Sequence, residues 1–272
     1  MATATNKSAA GSKGRSEAPN LGLGIDVGGT GVKAAIVDLD TAELMTDRIR
    51  EKTPRPSTPK ALLATIETVV EQVLAQHGPV KDLPVGCGLP GPIKAGVMKT
   101  AANLDSGWVG YDAGTNISAR LGRTVHIIND ADAAGVAELA FGQARGRDGT
   151  VILLTIGTGI GSALFSGGRL VPNTELGHLE MRGKSAEKRV SGAARERREL
   201  SWLAWAKEFN EYLAMLDLFF LPDTIILGGG VSKRRTKFQT YLVSNAEIVE
   251  ARFLNTSGII GAAYAAGMAS RS

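Results

Sequence analysis

The sequence predicts a duplicated α/β fold, and three observations point to it. Two glycine-rich turns, Gly24-Ile25-Asp26-Val27-Gly28-Gly29-Thr30-Gly31 and Thr155-Ile156-Gly157-Thr158-Gly159-Ile160-Gly161-Ser162, each end one apolar run and begin another, as a β-hairpin does. Behind each hairpin come helical and strand-like apolar runs in turn, a weak internal repeat. Glycine at such turns lets backbone N–H groups approach an anion without a Cβ in the way, and Thr30, Thr155, Thr158 and Ser162 add hydroxyls. Two turns of this kind suggest a clamp on phosphates.

The elements follow in order. Residues 1–20 are rich in Ala, Ser, Thr, Lys and Gly with almost no large apolar side chain, and are expected to form a disordered tail. A strand from Leu21, the first glycine turn, a strand over Gly31 to Asp38 and a third near Leu44 to Arg50 form an antiparallel meander. Pro54, Pro56 and Pro59 stiffen the next connection, and Ser57 or Thr58 can cap a helix whose apolar residues run from Leu62 to Leu74 at helical spacing. Gly78-Pro79 stops it. Val85 to Leu89 is a short buried strand, Asn116 to Leu121 part of a helix, Thr124 to Ile128 a strand, and a helix opens near Asp130. In the second half, the hairpin of Val151 to Ile156 and Ile160 to Phe165 precedes a long amphipathic helix from Ser201 to Leu221. Thr224 to Leu227 is a strand, and Phe238 to Ala251 and Gly258 to Ala269 read as helices. The expected lobes are 21–129 and 130–272, with the last helix able to pack back on the first.

Composition narrows the function classes. An apolar fraction of 43% and a charged fraction of 21% are those of an ordinary globular protein. The single cysteine, Cys87, excludes an intramolecular disulfide and a multi-thiolate zinc site, and reads as a small core residue. No apolar run is long enough to span a bilayer and no secretory h-region opens the chain, so a cytoplasmic protein without a membrane partner is expected. Net charge is +4, but cations crowd Arg182 to Arg198 and Lys233 to Lys237. Such runs are either a solvated face or a seat for a polyanion. No helix-turn-helix, zinc finger or aromatic-basic interleaving supports nucleic acid as that polyanion.

Two nucleotide motifs fail on inspection. Gly86-Cys87-Gly88-Leu89-Pro90-Gly91 has the spacing of a dinucleotide fingerprint, but Pro90 and Pro92 remove donors where a helix would have to start. Gly183-Lys184-Ser185 lacks the earlier glycine of a Walker A loop.

Six segments in order resemble the ROK family of sugar kinases: Asp26-Val27-Gly28-Gly29-Thr30, Gly88-Leu89-Pro90-Gly91-Pro92, Asn129-Asp130-Ala131-Asp132, the Thr155 to Ser162 turn, Glu175-Leu176-Gly177-His178, and Ile226-Leu227-Gly228-Gly229-Gly230-Val231-Ser232. The likeness runs from Leu21 to the C-terminus. It implies the actin-like, ribonuclease H-type fold, with two lobes and an active-site cleft between them. The basic stretch from Glu187 to Trp202 and the run Val231-Ser232-Lys233 are similar to the actinobacterial polyphosphate glucokinases within that family. That implies transfer of the terminal phosphoryl group of polyphosphate or ATP to the 6-hydroxyl of glucose, and of mannose.

The resemblance also implies roles. Asp130, which the residues alone allow as a helix cap or as a base, is implied as the general base that takes the hydroxyl proton. Asn103, Asn129, Asp130, Glu175 and His178 are implied as sugar ligands, with Gly88, Pro90 and Gly91 as the wall beside the sugar. Asp26 is implied near Mg²⁺ through water. Gly28, Gly29, Thr30, Gly31 and Lys33, with Thr158, Gly159 and Gly161, are implied on the donor phosphates, and Gly228, Gly229 and Gly230 at the adenosine-side turn. Lys184, Lys188, Arg189 and Lys233 are expected along a polyphosphate path.

The chain departs from many family members, which carry a zinc-binding cysteine cluster after the Glu-x-Gly-His motif. With Cys87 alone, no zinc is expected, and Glu187 aligns as the third sugar-binding carboxylate. An ATP-only hexose or N-acetylhexosamine kinase is the enzymatic alternative. A sugar-responsive repressor needs an N-terminal DNA-binding helix pair, which the polar stretch before Leu21 is not expected to supply. Monomer and homodimer are both compatible with the sequence.

Overall fold

The protein is described by a computed structural model that covers residues 20–78, 82–101 and 103–271. The expected N-terminal tail lies outside the described residues but for Asn20. Strands β1 (Leu21–Gly28) and β2 (Gly31–Asp38) pair antiparallel down to Gly28 opposite Gly31, so the turn is only Gly29 and Thr30. The third strand, β3 (Ile49–Glu51), starts later than the sequence predicts, and Leu44 makes only an isolated bridge to Val37. Helix α1 (Pro59–His77) begins where Thr58 Oγ1 accepts the Ala61 N–H at 3.3 Å, a cap of about 1 kcal/mol, and ends at Gly78. Strand β4 (Val85–Leu89), the small hairpin β5 (Ile93–Lys94) and β6 (Val97–Met98), helix α2 (Ala113–Leu121) and strand β7 (Val125–Asn129) complete the first half. Helix α3 (Asp130–Phe141) follows without a break.

The second half repeats the plan. Strands β8 (Thr150–Ile156), β9 (Ile160–Ser166) and β10 (Arg169–Val171) lead to a short hairpin, β11 (Glu180–Met181) and β12 (Lys184–Ser185). Helices α4 (Ala186–Val190), α5 (Gly192–Arg197) and α6 (Trp202–Phe220) precede strands β13 (Thr224–Gly228) and β14 (Glu247–Glu250) and helix α7 (Ser257–Ala269). The sheets have matching orders, β3-β2-β1-β4-β7 and β10-β9-β8-β13-β14. Each holds an antiparallel meander on one side and two parallel strands on the other, which is the duplicated, actin-like plan.

The helix predicted over Phe238 to Ala251 is not formed. Two short 3-10 turns, Ser232–Lys237 and Gln239–Tyr241, are followed by β14, which lies parallel to β13 with Ile225 opposite Ile248. Apolar residues recur at helical spacing in this stretch. Ser244 and Asn245 interrupt the run: Ser244 Oγ donates to Asp217 Oδ1 at 2.8 Å, and the Asn245 N–H donates to Asp217 Oδ2 at 2.9 Å.

Apolar residues of β1, β2 and β4 bury one face of the first sheet against Leu62, Ile66, Val69 and Val73 of α1. Trp205, Phe209 and Tyr212 of α6 do the same for β8 and β13 in the second lobe. Helix α7 covers the other face of the first sheet at unusually short range. A Cβ on Gly24 would lie 1.9 Å from the Ile259 carbonyl oxygen, and one on Gly261 would lie 1.6 Å from that of Ala133 in α3. These glycines let α7 wedge between the first sheet and α3. The buried Glu138 of α3 fixes the entry to α7 by accepting N–H groups from Gln143 at 2.8 Å, Arg252 at 2.7 Å and Phe253 at 3.1 Å. Cys87 is buried in the first core, where desolvation pushes its thiol pKa up. Among the described residues no helix is long and apolar enough to cross a membrane.

Candidate functional site

A cavity of about 780 Å³ opens between the two sheets, and both glycine turns line it. The first turn is braced by three side chains. Thr53 Oγ1 donates to the Gly28 carbonyl at 2.6 Å, Arg55 Nη2 to that of Gly29 at 2.9 Å, and Arg50 Nη2 to that of Thr30 at 3.1 Å. The negative ends of three successive peptide dipoles are thereby met by donors, two of them cationic. That leaves the turn better suited to an anion than its glycines alone would make it. Beside it, Lys33 Nζ and Asp26 Oδ2 pair at 2.6 Å on neighbouring strands, both lining the cavity.

The second turn closes with Ile156 opposite Ile160, and the Gly157 N–H donates to the Gly159 carbonyl at 3.0 Å. The Gly157 carbonyl accepts from the Ala193 N–H at 3.2 Å, which ties the turn to α5. The third turn sits behind it. Gly229 adopts φ +78°, and a Cβ there would lie 2.6 Å from the backbone of Ile156.

Asp130 stands at the first position of α3, directly after β7. Asn129, not Asp130, is the cap: its Oδ1 accepts the N–H groups of Ala131 at 2.9 Å and Asp132 at 3.0 Å. Asp130 Oδ1 also accepts the Ala131 N–H at 2.9 Å. Burial, then the charge on Asp26, raises the Asp130 pKa to about 7, with Glu175 and Asp132 adding to the rise and the Ala131 hydrogen bond opposing it. A carboxyl group that titrates near neutrality is matched to proton transfer.

Glu175 and His178 flank one 3-10 turn, Leu176–His178. The expected three-residue spacing places His178 Nδ1 3.3 Å from Glu175 Oε2, while His178 Nε2 lies 3.8 Å from Glu187 Oε1. Asn129 Nδ2 reaches Glu175 Oε1 at 3.5 Å. Burial raises the Glu175 pKa, His178 opposes it and Glu187 adds to it. The set offers acceptors and donors at several angles, as neighbouring hydroxyls of a sugar require.

Of the residues singled out from sequence, Asp26, Gly28, Gly29, Thr30, Lys33, Pro90, Gly91, Asn103, Asn129, Asp130, Thr158, Gly159, Gly161, Glu175, His178, Glu187 and Gly228 to Gly230 line this one cavity. Gly31, Gly88, Lys184, Lys188, Arg189 and Lys233 do not line it. Arg189 Nη2 is 3.2 Å from Glu208 Oε2. Sequence reasoning missed Arg55, which lines the cavity from a proline-rich connection, and Asp132, a buried carboxyl group beside Asp130. Burial raises the Asp132 pKa to about 7, against the pull of the Asn173 N–H and with Glu175 adding to the rise. Its position two residues after Asp130, in a motif otherwise accounted for, was the available signal.

The sequence model of the ROK family matches residues 22–194. Over 245 residues the chain is 45% identical to the polyphosphate glucokinase of Mycobacterium tuberculosis strain H37Rv, an alignment that covers 90% of each protein. The crystal structure of the inorganic polyphosphate/ATP-glucomannokinase of Arthrobacter sp. strain KM superposes with a TM-score of 0.89 at 44% identity, covering 92% of this chain and 99% of that one. The ROK hexokinase of Thermus thermophilus superposes with a TM-score of 0.72 at 25% identity, covering 92% and 99%.

Proposed function

Since this chain belongs to the ROK family, we propose that it is a glucokinase that moves the terminal phosphoryl group of inorganic polyphosphate or ATP to the 6-hydroxyl of glucose, and that mannose is a second acceptor. One observation carries the reading: a carboxyl group poised near neutrality, Asp130, shares a single cavity with two facing glycine turns and with the Glu175, His178 and Glu187 cluster. Acceptor and donor sites therefore meet at one base. The names of the Mycobacterium and Arthrobacter relatives support polyphosphate as a donor alongside ATP.

In this mechanism Asn103, Asn129, Glu175, His178 and Glu187 hold the sugar hydroxyls, and Pro90 and Gly91 form the wall beside the ring. Asp130 accepts the 6-hydroxyl proton as that oxygen attacks phosphorus in line. Lys33 and the first and second turns hold the donor phosphates, while Gly228, Gly229 and Gly230 form the adenosine-side turn. Among the described residues no three metal-ligating side chains gather into a closed cage. Asp26, on the cavity wall, instead fits the sparse, oxygen-only protein contribution that Mg²⁺ takes when phosphates and water complete its shell. Mg²⁺ bound there would neutralise charge on the donor phosphates. The lobes are taken to divide at Asn129 and Asp130, with α7 packed on the first, and their closure would exclude water as a competing acceptor. A cytoplasmic enzyme, monomeric or homodimeric, is proposed.

The test is a donor comparison on the purified protein with glucose and Mg²⁺. Glucose 6-phosphate is expected from both long-chain polyphosphate and ATP. Formation from ATP alone would assign the protein to the ATP-only kinases.

A further inference from the structure

The arginines of the second-lobe basic stretch are largely paired, and Lys184, Lys188 and Lys233, which have no carboxylate within 4.0 Å among the described residues, do not line the cavity. In the second lobe Arg182 pairs with Glu211, Arg189 and Arg198 with Glu208, and Arg235 with Glu250, while the Arg195 guanidinium lies 3.9 Å from the Trp202 ring centre. A second unpaired group lies in the first lobe. Arg48, Arg50, Lys52 and Arg55 fall within one short stretch around β3, the outer strand of the first sheet, and among the described residues none has a carboxylate within 4.0 Å.

The arginines of this stretch reach the rim of the cavity. Arg48 Nη1 donates to the Asn255 carbonyl at 3.4 Å, Arg50 Nη2 to that of Thr30 and Arg55 Nη2 to that of Gly29, and all three acceptor residues line the cavity. Each contact uses one of five guanidinium N–H groups and neutralises no charge. The strand register explains the alignment. Asp26 lies opposite Lys33 and Lys33 opposite Arg50, so these side chains share one face, and Arg48 and Lys52 continue the two-residue repeat on either side of Arg50. A linear polyanion along this edge would meet a cation about every 7 Å.

We propose that the edge formed by Arg48, Arg50, Lys52 and Arg55 seats the distal phosphates of a polyphosphate donor whose terminal phosphate lies at Asp130. The inference rests on the reading of this enzyme as a polyphosphate user. It moves the polymer path from the second-lobe cluster expected from sequence to the first lobe. A row of unpaired cations suits a polymer charged at every unit. A nucleic acid would also need stacking partners, and the stretch from Arg48 to Arg55 contains no aromatic residue.

The experiment measures kcat/KM for long-chain polyphosphate, tripolyphosphate and ATP in the wild type, in R48Q/K52Q and in the second-lobe pair K188Q/K233Q. Expected in R48Q/K52Q is a fall of about tenfold in the ratio of long-chain polyphosphate to ATP, with a smaller change in the ratio of tripolyphosphate to ATP. The dependence of log KM for the polymer on log salt should become shallower by about 1 to 2, as two phosphate contacts are lost. The variant R50Q/R55Q is expected to lose more of the same ratio. A tenfold loss in K188Q/K233Q with none in R48Q/K52Q would overturn the assignment while leaving the donor reading intact. A wild type that forms glucose 6-phosphate from ATP and none from polyphosphate would overturn both.

Discussion

The side-chain amide of Asn173 meets the backbone of Ile93 in two hydrogen bonds, the Ile93 N–H to Oδ1 at 2.7 Å and Nδ2 to the Ile93 carbonyl at 2.9 Å. One strand gives its neighbour the same pairing, yet here it joins the β5–β6 hairpin of the first lobe to the loop that carries Glu175 in the second. The Asn173 N–H is donated in turn to the buried Asp132 Oδ2 at 2.7 Å. Since β5 follows the Pro90 and Gly91 wall, the relay fixes that wall relative to Glu175.

Replacing Asn173 by Ala is therefore expected to cost about 1–3 kcal/mol, as two backbone groups of Ile93 lose their partners. It should raise KM for glucose several-fold while lowering kcat less, because the hydrogen bonds of Asn173 go to Ile93 and Asp132 and not to Asp130 or the glycine turns. Urea denaturation together with glucose saturation kinetics checks both parts. An unchanged KM beside a lowered stability would show the relay to be structural only.

As the proposed base, Asp130 is expected to govern the acid limb of activity. With its pKa raised to about 7, the base form is lost as pH falls through that value, so kcat/KM should drop tenfold per pH unit below it and level off above. The D130N variant removes the proposed proton acceptor and should lose at least about 10³-fold in kcat, with glucose binding retained within a few-fold by calorimetry. Turnover near that of the wild type would exclude Asp130 as the base.

Asp132 offers a separate pH signature. Its folded-state pKa of about 7 lies above the ordinary carboxylate value of 3.8, so the folded protein binds more protons between those values and loses stability as pH rises across them. Asn at this position keeps an acceptor for the Asn173 N–H and has no charge to bury. The melting temperature of D132N relative to wild type should therefore climb from pH 4 to pH 8, by the equivalent of roughly 2–4 kcal/mol. A difference that stays flat with pH would mean that Asp132 is not the group responsible.

Most of the architecture was legible because its signals are local. The hairpins announce themselves by glycine between apolar runs, α1 by Thr58 and the spacing of Leu62 to Leu74, and α3 by Asn129. What stayed hidden depends on long-range pairing. Residues 238 to 251 carry helix-like spacing, and only β13 lying alongside makes 247 to 250 a strand. Arg50 looks like an ordinary exposed arginine until the register of β3 on β2 brings it to the Thr30 carbonyl, and Arg55 until the connection after β3 carries it to that of Gly29. Asn173 is a polar loop residue in sequence, and its partner is 80 positions away. The cavity-lining residues on glycine turns and helix starts were readable from type and neighbourhood; the residues that brace them were not.

Two glycines of the cavity-side turns should respond very unequally to the same substitution. At Gly229, φ is +78° and a Cβ would meet the Ile156 backbone N and O at 2.6 Å, so alanine there combines left-handed strain with a clash against groups that cannot rotate away. At Gly31 a Cβ would come 2.8 Å from Arg50 Nε, the end of a flexible side chain, and φ is not positive. G229A is expected to cost about 3 kcal/mol or more, the sum of backbone strain and overpacking, and to raise KM for ATP. G31A should cost less than about 1 kcal/mol, since the guanidinium can swing aside. Because that swing gives up the Arg50 contact with the Thr30 carbonyl, G31A should weaken use of long-chain polyphosphate more than use of ATP. Denaturant midpoints at constant m-value separate the two variants, and equal losses of stability would refute the distinction between a rigid neighbour and a mobile one.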